Sequence, residues 1–170
     1  MMYFFDLLAL RRSASELPDS GLLLSALFAI DVLLGSAVSA LFGSRDGLLN
    51  ALISDGLLCL GVVGLLTLRS CNQRSQRALI AMLGASALIS VFAVVLALIY
   101  ASLAPAPPQG ALAMFFQLLI LCLVVWTLAV FAHVLSDAAA WPFSVAAVAA
   151  LALQGAISLS LRFFTQGIAA

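Results

Sequence analysis

The sequence predicts an all-α, polytopic bundle of five transmembrane helices, and three observations carry that prediction. Of 170 residues, 65% are hydrophobic and 8% charged, with a mean hydropathy of +1.25. Soluble domains are roughly half apolar and a quarter charged. Next, the apolar residues fall into five runs long enough to cross a hydrocarbon core of roughly 30 Å, which takes about 20 residues of helix. Finally, runs such as LLILCLVVW lack the period-2 alternation of a membrane strand.

Residues 1–20 form a separate segment ahead of the five-helix domain, 21–170. Its MMYFFDLLAL is too short to span, and Arg11 and Arg12 follow the apolar stretch instead of preceding it, the reverse of a cleavable signal. A short helix lying in the cytoplasmic interface is expected, with SASELPDS turning into the first span and Asp19 or Ser20 capping it. The spans are expected at about 21–42, 48–68, 78–101, 111–135 and 142–164. Short polar breaks separate them: GSRDG, RSCNQRSQR, SLAPAPPQG and SDAAAWP. Pro142 suits the first turn of the last helix, where its missing N–H costs nothing, and Trp141 suits an interfacial anchor.

Arginines set the expected orientation. Arg11, Arg12, Arg69, Arg74 and Arg77 fall on the side of the N-terminus, and Arg45 and Arg162 on the other, so the N-terminus is expected in the cytoplasm and the C-terminus outside. There is no lysine, net charge is zero, and the arginines share no amphipathic face, which excludes a nucleic-acid surface. Lipid, other membrane proteins or a second copy of the chain are the expected partners. Cys59 and Cys122 sit in apolar runs and Cys71 in a basic loop, so no disulfide is expected.

The segment FFDLLALRRSASELPDS leading into five spans, the basic loop after the second, and VVWTLAVFAHVLSDAAAWPFSVAAVAAL across the last two resemble the bacterial branch of the Yip-domain membrane proteins. Eukaryotic relatives in that superfamily are named for interacting with Rab-type GTPases and act in membrane traffic. The resemblance implies a multi-pass protein of the bacterial inner membrane and brings no catalytic residues with it. Bacterial members often carry a basic residue after the His-hydrophobic-Leu stretch, where this chain has Ser136 and Asp137.

Asp31, in LFAIDVLLG, is the polar residue that most needs an explanation. An aspartate at a helix centre costs about 2.5–3.5 kcal/mol on the insertion scale, while each Leu, Ile, Val or Phe returns about 0.3–0.6. Seven leucines plus Phe28, Ile30, Val32, Val38 and Phe42 keep the span insertable. Asp31 is therefore expected to face the bundle interior. Depth along the membrane suggests two pairs, Asp31 with Gln154 and Asp55 with Gln117, each acid neutral and donating to a carboxamide. The alternative is a proton or cation path through Asp31 and Asp55, as in a small proton-coupled transporter or channel.

His133 has Asp137 four residues on, on the same helical face. One histidine without clustered cysteines or carboxylates does not make a zinc site, so the expected role is a local hydrogen bond at the interface. Small residues mark expected seams: Ser36 with Ala40 and Ser39 with Gly43 in the first span, Gly61 and Gly64 in the second, and Ala152, Ala156 and Ser160 in the fifth. No nucleophile elbow, HExxH or phosphate-binding glycine loop occurs. No enzymatic activity, cofactor or metal is expected. The expected working surface is the cytoplasmic loop 69–77, with Arg69, Arg74 and Arg77.

Overall fold

The computed structural model describes residues 17, 19–41, 46–103 and 111–168. Five long helices account for nearly all of them: α1 (Gly21–Leu41), α2 (Gly47–Leu68), α3 (Ser75–Leu103), α4 (Ala111–Ala139) and α5 (Phe143–Ile168). A single 3₁₀ turn, Asn72–Arg74, leads into α3, and no strand occurs among the described residues. All five helices are long and apolar enough to cross a membrane. A helix pairs the backbone polar groups of its interior along its own length, as a hydrocarbon solvent demands.

The helices match the expected spans but overrun them at polar ends. α3 begins at Ser75, three residues ahead of the apolar run, and α4 continues to Ala139, because a helix propagates through Ser, Gln and Arg once its hydrogen bonds are established. At α1 the Ser20 hydroxyl accepts from the Leu23 N–H at 3.3 Å and caps the helix. Pro142 stands just before α5 instead of in its first turn, its carbonyl accepting from Val145 and Ala146. Of the expected interfacial segment 1–20, only Leu17, Asp19 and Ser20 are among the described residues, and Leu17 is buried in the core.

α3 is the central element. α1 packs chiefly on α3 and then on α2; α4 packs on α3 and α5; α5 closes back on α2. The core gathers Ala78, Ile80, Met82 and Leu83 of α3 with Val130, Val134 and Leu135 of α4 and Val62 and Leu66 of α2. Outward-facing positions are apolar too, among them Leu22, Leu33, Leu60, Leu118, Val148 and Leu151. A soluble monomer rarely exposes such a continuous surface, whereas lipid covers it at no cost.

Helix contacts follow the small residues in two places. A Cβ added to Gly47 at the start of α2 would meet the Ser39 side chain and the Ser36 carbonyl of α1, and one added to Gly35 would touch Ala51. At Gly61 it would run into the Leu153 side chain, so this glycine is what lets α5 approach α2. Gly64 has open space around it, and Ala152 and Ala156 face away from the bundle. Gly43 lies outside the described residues.

Candidate functional site

The candidate site forms where α1, α2 and α3 converge near mid-height. Asp31 lies about 15 Å from the Gly21 end of α1, Ser86 about 16 Å from the Ser75 end of α3, and Asp55 about 20 Å from the Leu68 end of α2, at 1.5 Å per residue. These helix ends all lie on the same side of the bundle. Asp31 is 3% exposed, the one charged residue buried among those described. Asp55 is half-buried and within coulombic reach of Asp31, with Cys59 one helical turn further along α2 and in reach of both acids.

Ser86 and Ser90 of α3 lie within electrostatic reach of the Asp31 carboxyl. Four residues apart, they stand one above the other on one face of α3. Ser25, Ser36, Ser102, Thr127 and Ser158 each donate back to a carbonyl three or four residues earlier in their own helix, the usual way a hydroxyl is satisfied in an apolar setting. Ser86 and Ser90 lie within reach of a side chain on another helix, the Asp31 carboxyl of α1. Even so, Oδ2 of Asp31 and Oδ2 of Asp55 are buried without a hydrogen-bond partner. The site thus holds two acids, two hydroxyls and a thiol.

The structure does not bring the expected carboxyl–carboxamide pairs together. Asp31 meets α3 serines, not Gln154, because α1 packs on α3 and α2 whereas α5 packs on α4 and α2. Gln117 of α4 is separated from Asp55 in the same way and lines a different space: a cleft of about 430 Å³ with Val38, Ala93, Leu96, Tyr100 and Phe116. Tyr100 and Phe116 meet edge to face across it, ring centroids 4.9 Å apart. Matching depth fixes only one coordinate, and the pairing of helices supplies the others. The serine pair was missed, yet its signal was present: two hydroxyls at i and i+4, level with Asp31.

A second polar region occupies the end of the bundle where α2 passes to α3 and α4 to α5. Both helices stop in left-handed turns at residues without glycine's freedom, Ser70 at φ 57° and Ala140 at φ 52°. The Cys71 N–H donates to the Leu66 carbonyl, and the Trp141 N–H to that of Ser136, closing equivalent caps. The Arg69 guanidinium lies over the Trp141 ring, 5.8 Å from its centroid, joining the two turns. Arg77 pairs with Asp19 at 2.6 Å, fastening the approach to α1 onto the start of α3. The Arg74 side chain is exposed.

His133 and Asp137 lie near this end on α4, half-buried, and each makes an interaction within the protein. Cys59, Cys71 and Cys122 are all free thiols. No group of three or more His, Cys, Asp or Glu side chains among the described residues is arranged to hold a metal ion. Comparison with known protein families, with curated proteins and with solved structures finds no match to this chain.

Proposed function

We propose that this chain is a non-enzymatic, multi-pass protein of Yip-like type in a bacterial inner membrane, with its N-terminus cytoplasmic and C-terminus outside. It acts through contacts with other membrane proteins or with lipid. The observation that carries this reading is the construction of the basic end. Arg69 is held by Trp141 and Arg77 by Asp19, so the loop presents a fixed shape, and Arg74 projects from it into solvent. Arginine suits such a surface because its planar guanidinium recognises carboxylates and phosphates in two-point fashion. The outward small residues Ala152 and Ala156 on α5 add a face on which a partner helix can lie close.

Arg74 is the discriminating position, since its side chain is exposed while Arg69 and Arg77 also brace the fold. Crosslinking in native membranes, followed by affinity purification in mild detergent and mass spectrometry, tests the reading. A stoichiometric membrane protein retained by the wild type and lost in Arg74→Glu, with helix content unchanged, is the expected result. Recovery of the protein alone, together with unaltered binding of the variant to anionic vesicles, overturns it.

A further inference from the structure

We propose that Asp31 and Asp55, with Ser86 and Ser90, form a binding site for one small monovalent cation, a proton or a sodium ion, at the convergence of α1, α2 and α3. The inference is independent of the contact function assigned to the basic end.

The starting point is charge. Two carboxylates within coulombic reach of each other, in surroundings of low dielectric, repel strongly and are each poorly solvated. Ionisable residues inside membrane proteins pair with one another or with backbone carbonyls, and mark ion or proton paths. Here the chain has no lysine, and the described arginines lie elsewhere: Arg69, Arg74 and Arg77 at one end of the bundle and Arg162 near the end of α5. His133 lies on α4 near the basic end. The groups facing the pair from the elements around it are Cys59 on α2 and Ser86 and Ser90 on α3, none of them cationic. Among the described residues no cation faces the pair, and a proton or cation taken up from outside would supply the balancing charge.

The second observation is the orphaned oxygen. Asp31 is 3% exposed, and its Oδ2 has no hydrogen-bond partner, as is also true of the buried Oδ2 of Asp55. A buried polar atom left unsatisfied costs about 1–3 kcal/mol, more when charged. A serine hydroxyl beside such a carboxyl can donate to a carboxylate or turn a lone pair toward a cation.

The donor set decides the class of ligand. Carboxylate and hydroxyl oxygens are hard ligands suited to a proton or an alkali cation, while the one thiol adds nothing that would favour a soft transition metal. A proton would neutralise one acid, which then donates to its neighbour or to a serine. A sodium ion would take oxygens from the acids and the hydroxyls.

The test uses the full chain in lipid nanodiscs, with Asp31→Asn, Asp55→Asn and the double serine variant Ser86→Ala/Ser90→Ala. Infrared difference spectra between acid and alkaline conditions read the carboxylic-acid carbonyl band, and thermal unfolding in sodium chloride against choline chloride reads sodium. A protonated-carboxyl component that persists above the pH at which exposed carboxyl groups ionise, and that is lost when either aspartate is replaced, supports a proton site. A sodium-specific rise in melting temperature, abolished by either aspartate replacement and reduced in the serine variant, supports a sodium site. The other carboxyl groups of the chain titrate in every variant, so the reading is the wild-type-minus-variant difference: a difference spectrum with no carboxyl intensity assignable to either aspartate above ordinary carboxyl pH, together with identical melting in the two salts, would overturn the proposal. Because these signals come from the mid-membrane cluster, the outcome is separate from that of the Arg74 experiment.

Discussion

In the half of the bundle nearest the arginines, Ala78, Ala81, Met82 and Leu83 of α3 are fully buried, and so are Val130, Val134 and Leu135 of α4. In the other half the same two helices turn large side chains outward: Val95, Leu98 and Ile99 on α3, Met114, Phe115 and Leu118 on α4. Both halves are strongly apolar, so hydropathy does not distinguish them. Residue size does. The buried half is rich in small residues, ALIAMLGASA on α3 and AVFAHVLSDAAA on α4, which let the backbones approach. The other half, VFAVVLALIY against MFFQLLILCLVVW, sets bulky side chains against one another, and the helices stand apart around the cleft of about 430 Å³. In a solvent that rewards no apolar burial, side-chain volume decides where a bundle closes.

The largest expected effect that would break this contrast comes from matched leucines on α3. Leu83→Ala, in the closed half, is expected to destabilise by about 2–5 kcal/mol, and Leu98→Ala, in the open half, by far less. Unfolding in mixed micelles measures both, and equal losses would show that the halves are packed alike. Gly61→Leu is the next test, because the new side chain collides with Leu153 where α5 closes on α2. A loss of about 1–3 kcal/mol is expected, with Gly64→Leu near neutral because open space surrounds that position. Relief of the left-handed strain at the end of α4 should act in the opposite direction: Ala140→Gly is expected to gain about 1 kcal/mol. The smallest effect belongs to the Asp19–Arg77 pair, which is solvent-exposed. A double-mutant cycle should give a weak coupling that fades further as salt is raised, and a coupling indifferent to salt would mean that the pair is not exposed.

The five helices were legible because each depends on a local property, an apolar run of sufficient length. The Ser20 cap and the shared end of the basic loop and Trp141 were legible for the same reason. Neighbour relations were not. The depth argument placed Asp31 level with Gln154, but whether two helices touch depends on how all five arrange around α3, and that arrangement turns on side-chain volumes summed over several helices. Gly61 was legible as a small residue, but its contact with Leu153 was not, since sequence alone does not say which helix uses the space a glycine leaves. The Asp31–Asp55 proximity was expected along the membrane axis, and the structure adds that α1 and α2 pack side by side.

The position of Ser86 and Ser90 on the third helix has a consequence for how the protein is made. Chains emerge from the ribosome N-terminus first, so α1 and α2, each carrying an acid, are synthesised before the serines that face Asp31. During that interval the two carboxyls have only each other and whatever water or ions accompany the nascent hairpin. The arrival of α3 both supplies the hydroxyls and covers Asp31, which makes the third helix the step that commits the first two. A chain halted after α2 would leave the membrane-insertion machinery with an unshielded acidic hairpin, a natural substrate for quality-control proteolysis.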